Sequence, residues 1–266
     1  MLAYSTYGEA GGPGKTTLAA SLAAAHARRG RDVLAVDLDP QDAGLSYLLD
    51  VNDRRGDPDA DHLVRHLRGD PKGPFDGLLR SVEGEGFDVV PAHNALSRLD
   101  SENVGHTALR DVIAAANVPD HYEVLICDPP ATEGSALYNA LAATGSLVIP
   151  AEATAKGVQS IRGLEDLAAG FERVVGVSIG VLAVVPNKVD RRSGTQRDHA
   201  DALRDMDYPT PVELPIRGAL FDGAWGRQCT PFRFVDEYRE RPPDRERDTL
   251  RRVEELAATL EREAGL

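Results

Sequence analysis

Lysine is scarce in this sequence of 266 residues: four of the 30 cations are Lys, at 15, 72, 156 and 188, and the other 26 are Arg. Positive charge as a whole is short, with 43 acids giving a net charge of −13. Such a surface argues against a protein that coats nucleic acid through a basic face, although it leaves room for a local patch. Aromatic residues make up 5% of the chain, with a single Trp, and there are two cysteines. Cys127 and Cys229 lie far apart and read as buried hydrophobes rather than as a disulfide or a metal pair. No run approaches the ~18 apolar residues that a membrane span needs. The opening Met1-Leu2-Ala3-Tyr4 lacks the basic-then-apolar character of a signal peptide. The expectation is a cytoplasmic protein with no membrane attachment. A hydrophobic content of 42% excludes a disordered chain. The length suits one or two domains with a full core and no disulfide staples.

Short apolar runs alternate with helical stretches, the pattern of an α/β fold whose mostly parallel, twisted sheet carries helices on both faces. Strands are predicted at 2–6, 32–36, 87–90, 124–127, 146–150, 177–185 and 212–215. Helices are predicted at 16–29, 108–116, 136–143, 158–174, 196–206 and 244–264. Residues 51–85, rich in Gly, Pro and Asp, read as an irregular insertion with helical pieces at 61–67 and 75–82. The expectation is a single domain over 1–266. The last helix carries Leu250, Val253, Leu256, Ala257, Leu260 and Ala264 as one stripe. Its balanced charge and lack of aromatics suit packing on a sheet rather than lying on a membrane.

The most specific motif is Gly8-Glu9-Ala10-Gly11-Gly12-Pro13-Gly14-Lys15-Thr16-Thr17, set between the first strand and the first helix. Its glycines allow backbone N–H groups to turn inward as an anion nest, and the helix N-terminus adds unpaired N–H groups. In a P-loop the lysine, here Lys15, reaches the β- and γ-phosphates, and the hydroxyl of Thr16 holds Mg²⁺. Glu9 stands where the general pattern has glycine. The second strand runs into Asp37-Leu38-Asp39-Pro40-Gln41, and another apolar strand ends in Asp128-Pro129-Pro130-Ala131. If the strand continued, Asp37 and Asp39 would point the same way. Acids at the carboxyl ends of such strands sit where open α/β sheets take ligands, and beside a phosphate nest they suit Mg²⁺. The alternative for each is an ordinary strand-end cap.

These segments resemble the ParA/MinD family of deviant-Walker P-loop ATPases. The likeness rests on Gly11, Gly12, Pro13, Gly14, Lys15, Thr16 and Thr17, on Asp-Leu-Asp-Pro-Gln from Asp37, and on Asp128-Pro-Pro-Ala. Phe87-Asp-Val-Val-Pro-Ala and Pro215-Ile216-Arg217, followed by Thr230-Pro231, extend it over most of the chain. The resemblance implies a homodimer closed around two ATP molecules, with Lys15 and Asp39 catalytic. Asp39 would orient the attacking water, while Thr16, Asp37 and Asp128 would serve the metal. The family's signature lysine falls on Ala10, so Lys156 or Arg217 is expected to supply the missing charge, with Lys188 also near the site. Asn187-Lys188-Val189-Asp190 matches the N-K-x-D pattern of GTP-binding proteins, but in the ParA/MinD relatives an Asn here reads adenine, so ATP is preferred.

Partners follow from the same resemblance. A ParA-like protein would bind DNA non-specifically, switch as an ATP-bound dimer in DNA partitioning, and hydrolyse ATP when a ParB-like partner triggers it. The window 217–252, from Arg217 to Arg252, holds nine Arg against seven acids and is the candidate DNA stripe. The bland alternative is a mixed, solvated face. With no extension before the first strand, a separate helix-turn-helix domain is not expected. Other readings are a MinD-like ATPase that positions non-DNA cargo or division proteins, and a nucleotide-binding adaptor that hydrolyses slowly because of Ala10. An iron–sulfur carrier of this fold would need close cysteine pairs, which are absent. The excess acid with little lysine also suggests adaptation to a high-salt cytoplasm.

Overall fold

Val124, Leu125, Ile126 and Cys127 are apolar in succession, as a strand buried on both faces requires. In the computed structural model, which describes residues 1–8, 12, 14–102 and 104–266, they form the heart of a seven-stranded sheet. Its strands are β1 (Leu2–Thr6), β2 (Val33–Asp37), β3 (Arg80–Ser81), β4 (Asp88–Val90), β5 (Val124–Asp128), β6 (Ser146–Glu152) and β7 (Gly180–Asn187). The order is β3-β4-β2-β5-β1-β6-β7. Every pair is parallel except β3 with β4. Register sets Asp37 beside Asp128 at the carboxyl ends of β2 and β5.

Alternate residues of each strand feed opposite cores. Tyr4, Val33, Ala35, Val124 and Ile126 pack under α1 (Lys15–Arg28) and α12 (Asp244–Ala264). The Ala-rich face of α1 lets that helix lie close to the sheet. Leu34, Val36, Leu125 and Cys127 pack on the other face, against α4 (Ala108–Ala115) and α6 (Ser135–Thr144). Beyond them Leu147, Ile149 and Val184 meet α6 and the apolar side of α8 (Leu164–Val175). Both cysteines are free and buried. Among the described residues no helix is long and apolar enough to cross a membrane.

A buried polar chain ties α12 to the start of the fold. Tyr4 Oη lies 3.1 Å from His26 Nε2, and His26 Nδ1 lies 2.8 Å from Glu261 Oε1. Arg29 and Arg31 donate to the same carboxylate. Burial lowers the pKa of His26 despite the nearby carboxylate. A neutral ring with its proton on Nδ1 satisfies both contacts. Burial disfavours the charge on Glu261, but Arg29 and His26 outweigh it and hold the carboxyl below its ordinary pKa. A second clasp joins distant segments: Glu85 accepts from the backbone N–H and the hydroxyl of Thr230, the cap of α11 (Pro231–Tyr238).

Several sequence expectations change. Segment 212–215 is not a strand, although Leu214 N–H donates to the carbonyl of Pro186 in β7 and an isolated bridge joins Val189, just past β7, to Pro215. Pro209, Pro211 and Pro215 remove the donors that a ladder would need. The helix expected over 158–174 divides at Gly163 into α7 (Ala155–Arg162) and α8. The piece at 61–67 forms α3 (Leu63–Arg68), but 75–82 is a 3₁₀ turn, Phe75–Leu78, followed by edge strand β3. Helix α9 (Gly194–Arg204) lies close to its expected place. Three helices appear without prediction: α2 (Leu45–Leu48), α5 (Val118–His121) and α10 (Gly218–Arg227), and α11 is a fourth.

Candidate functional site

The carboxyl ends of β1, β2 and β5 open into a cleft of about 800 Å³. Its floor is the N-terminus of α1. Gly14 precedes that helix with φ +95, and a side chain there would meet Asn187 Nδ2 at 2.7 Å. Only glycine lets the loop turn this way and approach Asn187 so closely. Lys15, Thr16 and Thr17 line the cleft, with Asp39, Asn187 and Arg217 around it. Burial lowers the pKa of Lys15, while Asp128 and Asp39 favour its charged form. Gly12 is described and lines the cleft; Gly11 and Pro13, like Ala10, lie outside the described residues.

The two strand-end acids behave differently. Asp37 is fully buried and both its oxygens are taken: Oδ1 accepts from Asp39 N–H at 3.0 Å, and Oδ2 from Ser46 N–H and Oγ at 2.7 and 2.6 Å. Asp128 accepts from Thr6 Oγ1 at 2.7 Å through Oδ1, while its buried Oδ2 has no hydrogen-bond partner. Burial raises Asp37 to about 6, against the pull of Ser46 and Asp39 N–H. Burial, then the charge of Asp37, raises Asp128 to about 7, only partly offset by Thr6, Thr16 and Lys15. β2 ends at Asp37, and beyond it Asp39 lines the cleft while Asp37 is buried out of it. Asp39 lines the cleft and caps its own turn by accepting from Gln41 N–H.

Two buried carboxylates with an unsatisfied oxygen, beside a threonine hydroxyl, are chemically suited to a hard divalent cation. Among the described residues no group of three or more His, Cys, Asp or Glu forms a cage of its own. Asp128 and Thr16 fit as the residues that would hold such a cation. Asp37, already saturated by Ser46 and Asp39, fits as the anchor of the turn and as a nearby charge.

The other expected residues separate. Lys188 has φ 54 and donates from Nζ to the carbonyl of Gly12 and to Glu152, so it braces the phosphate loop. Lys156 is exposed on α7 and is not part of the cleft wall. Arg217 is on the wall. It donates to the carbonyls of Arg245 and Ile216, and burial together with Arg245 and Arg252 lowers its pKa. Asp190 faces a different pocket and is held by Arg192, whose hydrogen bonds lower its pKa. Sequence reasoning missed Ser46, Tyr47, Phe221 and Trp225. Phe221 and Trp225 form an apolar wall of the cleft with Leu18 and Val253.

Lys15 and Thr16 thus open α1 at the end of the sheet where the paired acids close β2 and β5. A family model described as an AAA domain matches residues 4–177, more than half of the chain. The Chromosome-partitioning ATPase Soj of Thermus thermophilus is 35% identical over 177 residues, covering 64% of this chain and 65% of that protein. The chain belongs to the ParA/MinD family of P-loop ATPases. It thus spans just under two thirds of the length of that Soj. Among solved structures, the septum site-determining protein MinD of Pyrococcus horikoshii, complexed with Mg-ADP, has a TM-score of 0.74 at 20% identity, covering 99% of this chain and 97% of that one. An ATP complex of Cyanothece McdA has a TM-score of 0.76 at 18% identity, covering 100% and 97%. Gly12, Gly14, Lys15, Thr16, Thr17, Asp39 and Gln41 line one cleft, and Asp37 and Asp128 lie side by side at the ends of β2 and β5.

Proposed function

We propose that this chain is a Mg²⁺-dependent ATPase that works as a nucleotide-driven dimer switch in DNA partitioning or positioning. The observation that carries the reading is Lys15 and Thr16 lining the cleft at the mouth of α1, with the buried Asp128 of the Asp37–Asp128 pair close enough to feel both side chains. Lys15 neutralises the phosphate chain, and the N–H groups at the start of α1 orient it. Asp39 lies open in the same cleft, placed to accept a hydrogen bond from the attacking water. Asp128 and Thr16 hold the cation, which when bound neutralises charge between the phosphates. Asn187 lines the cleft close to Gly14 and is the residue assigned to the purine edge. Asp190, the residue a guanine would need, is engaged by Arg192 outside the cleft, and this favours ATP over GTP.

Arg217 is the cleft cation best placed to replace the charge that the family carries at the position of Ala10. A ParB-like activator fits the partitioning role. The reading is tested by Mg²⁺-dependent ATP turnover and by sizing the protein with a non-hydrolysable ATP analogue. Lys15→Ala is expected to reduce turnover by at least about 100-fold. Equal turnover in wild type and Lys15→Ala refutes the reading.

A second reading, positioning of cargo other than DNA, is favoured by one observation. Arg233, Arg239, Arg247, Arg251 and Arg252 in the candidate DNA stripe each pair with an acid. A stripe so neutralised releases few counterions on DNA. Nucleotide-dependent retention of DNA at several salt concentrations separates the two readings. Burst-phase hydrolysis without turnover identifies the third, a slow nucleotide-gated adaptor.

A further inference from the structure

Trp225 is the single tryptophan of the chain, and it stands on α10 at the edge of the cleft. Its indole Nε1–H donates to Thr17 Oγ1 at 3.0 Å. An indole N–H can only donate, so the Thr17 oxygen must accept. The hydroxyl hydrogen of Thr17 is then directed elsewhere, and it has no acceptor among the described residues. Thr17 itself lines the cleft.

The indole is held in turn. Its ring stacks on Tyr47 with centroids 6.2 Å apart and planes at 24°. Tyr47 belongs to α2, whose neighbouring Ser46 grips Asp37 through its N–H and hydroxyl. Gln228 adds a hydrogen bond from its side chain to the Tyr47 carbonyl. Helix α10 is therefore joined both to the phosphate loop's helix and to the turn that carries the acids.

We propose that Trp225 is a positioning residue for nucleotide binding: it turns the Thr17 hydroxyl into a preset donor aimed into the cleft, where it meets a phosphate oxygen of the nucleotide. The proposal rests on the nucleotide reading above. Without the indole, the hydroxyl rotates freely and must be ordered at the moment of binding, which weakens affinity.

The test is a double-mutant cycle read by the affinity for a non-hydrolysable ATP analogue with Mg²⁺. Thr17→Val keeps the shape and removes the hydroxyl; the expected loss is about 10-fold, the weight of one hydrogen bond to a charged group. Trp225→Phe keeps an aromatic ring and removes the N–H; the expected loss is about 3–5-fold. The double variant is expected to bind like Thr17→Val alone, because both changes break one chain of hydrogen bonds. Thr17→Ser, which keeps the hydroxyl, restores binding close to wild type. In the wild type, Trp225 emission shifts saturably with the analogue, and Thr17→Val removes most of that shift while leaving the apoprotein spectrum folded.

Additive losses in the cycle, or unchanged affinity in Trp225→Phe with a wild type that binds, overturn the role of Trp225 alone. A wild type that binds neither ATP nor GTP analogue overturns the nucleotide reading and the proposal with it.

Discussion

Removing the charge of Asp128 is expected to stabilise the protein in the absence of metal and nucleotide. The carboxyl is buried beside Asp37, with one oxygen unpartnered, and its pKa is raised from 3.8 to about 7, first by burial and then by Asp37. At pH values below about 4 the group is protonated in folded and unfolded chains alike, and no penalty applies. Between about pH 4 and 7 the unfolded chain ionises while the folded one resists, so stability falls as pH rises; above about 7 the full penalty is present. A shift of about three units corresponds to roughly 4 kcal/mol, and sharing with the coupled Asp37 reduces the part removed by one substitution to about 2–4 kcal/mol. Asp128→Asn keeps an acceptor for Thr6 and removes the charge. Its melting temperature at pH 8 is expected to exceed that of the wild type by on the order of 10 °C. At pH 5.5 the difference falls to about half of that. If Asp128 holds Mg²⁺ as proposed, adding it at pH 8 is expected to raise the wild-type melting temperature and to leave the variant unchanged. The assay is thermal unfolding by circular dichroism at pH 5.5 and 8, with and without Mg²⁺. A wild type whose stability is flat between these pH values, or a variant less stable than wild type at pH 8, refutes the reasoning.

Other expectations are simpler. Glu261→Ala leaves His26, Arg29 and Arg31 facing a buried gap and should cost about 3 kcal/mol in urea unfolding; an unchanged midpoint contradicts the structural role given to that network. Asn187→Ala should weaken ATP affinity by about 10-fold, whereas Asp190→Ala should leave it near wild type, as measured by calorimetric titration; the reverse ranking favours a guanine reader. With a net charge of −13, the chain should melt higher in molar KCl than in about 50 mM KCl, because screening relieves self-repulsion; a melting temperature that falls with salt rejects the high-salt expectation.

The parts of the fold legible in the sequence are those written as local pattern. Strand β1 and helix α12 have the predicted bounds, because one is a short apolar run between turn residues and the other carries a long stripe at helical spacing. The positions of the motif residues were legible for the same reason: Lys15 and Thr16 open α1, and Asp37 and Asp128 end β2 and β5. What was hidden depends on tertiary packing. Helix α10 contains Gly218, Gly223 and Gly226, which lower helix propensity. Gly223 is there because Phe234 of α11 packs against it, and a side chain would meet that ring at 2.3 Å. Ser46 is nine residues from Asp37 and becomes its partner only when α2 folds back. Helix α11 had a readable start, Thr230 followed by Pro231, the residues of an N-cap and first turn. The difference between Asp37 and Asp39 was not legible, since side-chain alternation holds only while the strand continues.

The chain of contacts from Tyr4 through His26 to Glu261 also bears on how the protein is made. Its longest contact, between His26 and Glu261, spans 235 residues. At roughly 5–20 residues per second, synthesis of that interval takes on the order of ten to fifty seconds. During that time the strands and α1 can leave the ribosome, yet the apolar side of α1 has no α12 to cover it, and His26 has no carboxylate. The nascent chain therefore presents a sticky, incomplete face for most of its synthesis. The core beneath α1 is complete only once the apolar face of α12 has emerged.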